Sequence, residues 1–354
     1  MRIPRVRIQR QSMRLVVALF AVVLVASACG SDSDETATAS DDSSADVAQA
    51  DEGDDAGGEA TCDTANNEDH SVASLTELDF GGMEINVGSK DFVEQFVLAQ
   101  LAIVALEAGG ANVTDSSNLG GTVVNRDALL AGEIDAYWEY NGTGWTVHLA
   151  QEEPSFDPVQ LTNGVCANDL ENNSIRWVGA SPFNDTYGFA TSPDSPAAGV
   201  DLQGMMEYVN ENPDATVCME TEFPNRPDGL VLLEDATGLT IPEGQVEILD
   251  TGIIYDETAS NNCTFGEVFT TDGRIPALSL DLIEDPGVFI LYNVSLTMPD
   301  DVYSQAPDAF EALADTVLGG LDEETMAELN RRVSADGEDP RAVAEDYLTE
   351  QGLL

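Results

Sequence analysis

The stretch MEINVGSKDFVEQFVLAQLAIVALEAGG, residues 83–110, changes its periodicity once, and that change sets the fold class. Its opening, MEINVGS, is short and partly β-branched and leaves through a glycine, which reads as a strand. From Asp91 onward Phe92, Phe96, Leu101 and Leu106 recur near helical spacing, and Gly109-Gly110 stops the run. Asp91 and Glu94 stand where an N-cap and its reciprocal partner belong. A second segment, TVVNRDALLAGEIDAYWEY (122–140), predicts a helix ending near Gly132 and a strand through Ile134 and Tyr137. Strand alternating with helix implies an α/β domain with parallel strands. The last fifty residues, from PDAFEALADTVL through DEETMAELNRRV to DPRAVAEDYLTEQGLL, predict three helices with acidic starts.

The 354 residues suffice for two ordinary domains, but the first segment belongs to neither. Five arginines precede an apolar run from Leu15 to Val25, and Ala26-Ser27-Ala28 leads into Cys29. This is the pattern of a signal peptide, too short and wrongly flanked for a spanning helix. A cysteine after small residues resembles the lipidation site of bacterial lipoproteins, with cleavage before Cys29; Met13 offers an alternative start. From Gly30 to about Ser74 the chain is Ser, Thr, Ala, Gly and acid, too poor in large apolar residues to offset its ordering entropy. The expected organisation is therefore a leader over 1–28, and a lipidated cysteine with an acidic tether over 29–76, ahead of the folded part. The expected location is the extracytoplasmic face of the cell membrane.

Net charge is −53, with Lys90 the only lysine. Electrostatics of this sign exclude nucleic acid as a partner. Cys62, Cys166, Cys218 and Cys263 remain beyond Cys29, an even count that in an exported protein implies two disulfides, with three pairings open. No two of them are close in sequence and only His70 and His148 could assist them, so no metal site is expected. A phosphate-binding Gly-rich loop is excluded because the one lysine sits in GSKDF. No stretch beyond the leader is long and apolar enough to span a membrane. A Ser-His-acid enzyme would need His148, whose setting in GWTVHLA reads as structural. Neither catalysis nor a cofactor is expected.

The motifs VGSKDFVEQF, LGGTVVNRDALLAGEIDAYWEYNGT, FNDTYGFA, EFPNRPDGL, GEVFTTDGRI and LYNVSLTMPDDV, in this order over about 83–352, resemble the substrate-binding proteins of osmoprotectant ABC transporters. That family includes glycine betaine, carnitine and choline binders. The resemblance implies a two-lobed, type II-like periplasmic-binding-protein fold with a ligand cleft that closes about a hinge. One lobe would comprise 77–184 plus 286–354, and the other 185–285. It also implies permease and ATPase subunits on separate chains. With Cys218 and Cys263 each just ahead of a site motif of the inserted lobe, the expected disulfides are Cys218–Cys263 and Cys62–Cys166.

A betaine has two ends with opposite needs. Its quaternary ammonium carries no N–H, so aromatic faces rather than hydrogen-bond acceptors suit it. Its carboxylate needs cationic and hydroxyl donors, and a helix start adds partial positive charge. Carried over motif by motif, the resemblance implies an aromatic box of Tyr140, Tyr187, Phe269 and Tyr292, with the Asp185 carbonyl facing the cation. It assigns Lys90, Thr143 and Arg226 to the carboxylate, which gives the single lysine a task. Phe269 stands where tyrosine is frequent, and Asn141 where threonine is usual. Tyr137 reads as core, Arg274 as structural and paired with an acid, and Arg226 has Asp228 as a competing partner. Choline, which lacks the carboxylate, is the alternative ligand.

Overall fold

The computed structural model describes Cys62 and residues 70–354. The leader, Cys29 and most of the acidic tether lie outside the described residues. Composition carries the tether to about residue 76, yet the chain takes up contacts sooner. The His70 and Val72 amides donate to Asp315 and Thr316, and the Leu75 amide to the carbonyl of Leu353. Leu75, Leu78 and Phe80 are apolar enough to anchor this entry, and all three are buried in the main core.

Ten strands are described: β1 Glu84–Gly88, β2 Asn112–Ser116, β3 Tyr137–Tyr140, β4 Ile175–Val178, β5 Tyr187–Thr191, β6 Val217–Met219, β7 Val246–Ile248, β8 Phe265–Phe269, β9 Asp281–Leu282 and β10 Val294–Pro299. They form three sheets, β1-β2, β3-β10-β4 and β7-β6-β8-β5-β9. The third sheet is built wholly from residues 187–282, and the chain returns to the second sheet at β10. Parallel pairing holds for β1 with β2 and for β6 with β7 and β8. Elsewhere the expectation of parallel strands fails: β10 runs antiparallel to β3 and β4, and β5 antiparallel to β8 and β9. Parallel neighbours need a crossover connection, whereas a strand that re-enters a sheet after a long excursion can run in either direction.

The helix expected after β1 is Val93–Ala108, buried along nearly its whole length. An all-round apolar helix needs cover on every side. The three C-terminal helices, Pro307–Leu318, Glu323–Ser334 and Pro340–Glu350, supply it. The predicted capping box does not form. Phe92 is the N-cap residue with no side-chain cap, and the buried Glu94 takes distant partners instead. Both disulfides form as expected, with Cα–Cα separations of 5.5 Å for Cys62–Cys166 and 5.8 Å for Cys218–Cys263, inside the usual range. Cys218 lies on β6 and Cys263 just ahead of β8, its parallel neighbour.

Candidate functional site

One cavity of about 640 Å³ is lined by all eight residues expected at the site: Lys90, Tyr140, Thr143, Asp185, Tyr187, Arg226, Phe269 and Tyr292. The fold delivers them from separate elements. Lys90 leaves the end of β1, Tyr140 ends β3, and Thr143 sits in the turn that follows. Asp185 precedes β5, Arg226 follows the short turn Phe223–Asn225, and Tyr292 precedes β10. Tyr187 and Phe269 are directly opposed across the β5–β8 ladder, so both side chains share one face of the sheet. Asn141, in place of the usual threonine, secures the turn below Tyr140 by donating to Thr162 at 2.7 Å and accepting from Ser295 at 3.0 Å.

The rings form a continuous wall. Tyr187 lies 5.5 Å from Phe269 and 5.4 Å from Tyr292, centroid to centroid, the latter edge-on. Tyr140 joins through Phe92, which stands 6.1 Å from Tyr140 and 5.0 Å from Phe269. Phe92 was read as a helix-face residue. Its position at the N-cap, half-buried, swings it into the cavity instead.

The cationic set does not form a separate end; it interleaves with the rings. Lys90 Nζ lies 4.9 Å from the Tyr140 centroid, and the Arg226 guanidinium carbon 5.6 Å from that of Tyr187. Both cations already have carboxylates. Lys90 Nζ pairs with Glu139 Oε1 at 2.6 Å, and the other Glu139 oxygen lies 2.9 Å from His148 Nε2 and accepts from Tyr137. Burial alone would push the Glu139 carboxyl up, but the Lys90 ammonium and His148 outweigh it and hold the group well below the usual carboxylate range. His148 and Tyr137 both direct a polar atom at Glu139 inside the protein. Arg226 spends all five N–H donors: on Asp228 through two bonds at 2.8 and 2.7 Å, on Thr122 and Thr143 at 3.0 Å each, and on Glu222 at 3.3 Å. Despite burial, the Tyr187 and Asp228 contacts push its ionisation further up, so it stays charged. Because Thr143 accepts from Arg226, its own hydroxyl proton remains to serve an anion. Arg274 pairs with an acid as expected, Asp272 at 2.5 Å, and lies over Tyr255, but it also lines the cavity.

Glu222 closes one edge of the cavity by accepting the Thr122 amide at 2.9 Å, at the start of the helix Thr122–Ala131. Gly121 at the N-cap leaves room for that approach, since a Cβ there would displace the Glu222 carboxylate. A second acidic group stands behind Tyr140. Glu94 accepts from the Tyr140 hydroxyl at 3.0 Å and from Asn330 at 2.9 Å, and both Glu94 and Asp185 contact the Thr271 hydroxyl. Burial pushes both carboxyls up, and the neighbouring Glu94 adds to the rise at Asp185.

Phe92, Glu94, Glu139 and Thr122 were not singled out for the cavity beforehand. A signal existed for Glu139: it is a lone acid among three aromatics in YWEY, in a chain with one lysine to match it.

The chain belongs to the family of substrate-binding domains of ABC-type glycine betaine transport systems, which it matches over residues 83–350. Members of that class work on the extracytoplasmic side, delivering solute to the membrane components of the transporter. Among curated relatives, the glycine-betaine-binding protein of Pseudomonas aeruginosa is 30% identical over 280 residues, covering 76% of this chain and 88% of that protein. The glycine betaine-binding protein YehZ of Escherichia coli is 28% identical over 277 residues, covering 76% and 90%. The solved apo YehZ structure aligns with 77% of this chain and all of its own, at 27% identity and a TM-score of 0.57. The fold is that of the two-lobed periplasmic binding proteins. Among the described residues no helix is long and apolar enough to cross a membrane.

Proposed function

We propose that this chain is a lipid-anchored receptor that captures glycine betaine or a closely related quaternary ammonium osmolyte, without chemically altering it. Permease and ATPase subunits on separate chains then import the ligand. Residues 77–184 and 286–354 make one lobe and 185–285 the other, a division favoured by the third sheet lying entirely within 187–282. Cys29 carries the lipid. The observation that carries the reading is the meeting of Tyr140, Tyr187, Phe269 and Tyr292 in one cavity with Lys90, Thr143 and Arg226. Ring faces attract a methylated cation that offers no N–H, each by about 0.5–2 kcal/mol. The Thr143 hydroxyl and the Lys90 ammonium, only one of whose three N–H groups is needed by Glu139, serve the carboxylate.

One observation favours choline as a second reading. Lys90 and Arg226 are each already matched by a buried acid, Glu139 and Asp228, so the cavity does not require an anion from its ligand. A calorimetric screen of glycine betaine, carnitine, choline and ectoine tests the proposal. Saturable binding of at least one trimethylammonium compound is expected; ectoine binding alone would sink it.

A further inference from the structure

Thr271 has one hydroxyl proton and two carboxylate neighbours. Its Oγ1 lies 2.5 Å from Glu94 Oε2 and 2.6 Å from Asp185 Oδ1, so it can donate to only one of them. The other contact is a hydrogen bond only if that carboxyl itself carries a proton. Sharing that one hydroxyl oxygen brings the two carboxylates close together, and both are buried, Glu94 3% and Asp185 4% exposed. Two like charges in such a place cannot both persist.

We propose that Glu94 and Asp185 hold one proton between them beside the aromatic wall and release it to solvent when a quaternary ammonium enters the cavity. Asp185 lines the cavity, and Glu94 stands directly behind Tyr140, so the arriving charge acts on the pair at short range. The groups facing the pair are the Tyr140 hydroxyl from β3, Thr271 from the turn after β8 and Asn330 from the helix Glu323–Ser334. No cation among the described residues compensates the pair. Lys90, Arg226 and Arg274, which line the cavity, are bound to Glu139, Asp228 and Asp272. The ligand cation is therefore what makes the doubly ionised pair tolerable. The pair passes from one negative charge to two, and the proton goes to buffer. Glu94 thereby becomes a determinant of cation affinity although it does not line the cavity. One other acid pair could mimic this behaviour: Glu267, buried against Glu220, is likewise pushed up by burial and by that neighbour.

The inference rests on the quaternary-ammonium reading, and its test separates the two. Glycine betaine and choline are titrated calorimetrically in buffers of different ionisation enthalpy, between about pH 6 and pH 9, with Glu94→Gln, Asp185→Asn and Glu267→Gln beside the wild type. Expected are a buffer-dependent heat corresponding to release of up to one proton, and affinity rising by at most about tenfold per pH unit. Both should vanish in Glu94→Gln and Asp185→Asn and persist in Glu267→Gln. An infrared difference between ligand-free wild type and Glu94→Gln at neutral pH should show loss of one protonated-carboxyl band. Binding without buffer dependence, a band unchanged in both pair variants, or release that disappears only in Glu267→Gln overturns the proposal while leaving the receptor reading intact. Failure of every quaternary ammonium to bind overturns both.

Discussion

Replacing Lys90 with methionine leaves Glu139, wholly buried, without its ammonium partner. Removing one member of a buried ion pair typically costs about 3–5 kcal/mol. Glu139 keeps three donors, His148 and the Tyr137 hydroxyl at 2.9 Å and the Tyr140 amide at 2.8 Å, which places Lys90→Met near the low end. A loss of about 3 kcal/mol corresponds to a fall in melting temperature of roughly 4–5 °C for a chain of this size. The pH dependence has a definite sign. Glu139 is depressed in the folded protein, so its contribution is complete above the unfolded carboxylate value, about 4.3, and fades as pH falls through the lower folded value. Without Lys90 the folded value climbs, and the gap between variant and wild type should be full above that raised value and narrow as pH falls through it toward the wild-type one. Glu139→Gln alone should also destabilise, because it strands Lys90. The double variant Lys90→Met/Glu139→Gln should recover most of the loss. The assay is urea denaturation of all four proteins at constant m, read as a double-mutant cycle. A coupling above about 2 kcal/mol is expected, and additivity within about 0.5 kcal/mol would refute the buried pair. On the repaired double-variant background, glycine betaine should bind more weakly while choline is much less affected, since only betaine presents an anion to Lys90.

Tyr187→Ala should weaken trimethylammonium binding by about 1–2 kcal/mol, whereas Tyr187→Phe should retain most of it, as titration calorimetry will show. Peptide mapping under non-reducing conditions should recover Cys62–Cys166 and Cys218–Cys263. Their sequence separations of 104 and 45 residues predict losses near 5 and 4 kcal/mol on replacement of each pair by alanine, measured by denaturation.

Local pattern carried the sequence a long way here. The strand-to-helix switch at Lys90 and the helix stop at Gly109-Gly110 are short-range matters of periodicity and backbone, and both stand where expected. The family resemblance singled out eight dispersed residues, and all eight line one cavity. What escaped was decided by partners far away in the chain. Glu94 fits a capping box by spacing, but Thr271 and Asn330, 177 and 236 residues on, draw it into the interior. Phe92 has helical spacing to its neighbours, yet it packs against Phe269 rather than onto the helix. The antiparallel β10 was hidden for a similar reason: its partners β3 and β4 precede it by well over a hundred residues. The assumption of two separate ligand ends fails on charge, because each cation expected to wait for a carboxylate already has one inside the protein.

The central claim is that ring faces recognise positive charge on a trimethylated nitrogen, rather than its bulk. Glycine betaine and its tert-butyl isostere 3,3-dimethylbutanoate, identical in shape and carboxylate but with an uncharged carbon in place of the cationic nitrogen, should be titrated against the wild-type protein at the same pH and at high ionic strength, where the repulsion of a net anion by the acidic surface is screened. The account predicts that betaine binds at least about tenfold more tightly, the equivalent of about 1.4 kcal/mol and within reach of two or three cation–π contacts. Equal affinity for the two compounds would mean that the wall of Tyr140, Tyr187, Phe269 and Tyr292 is only an apolar surface, and would contradict it.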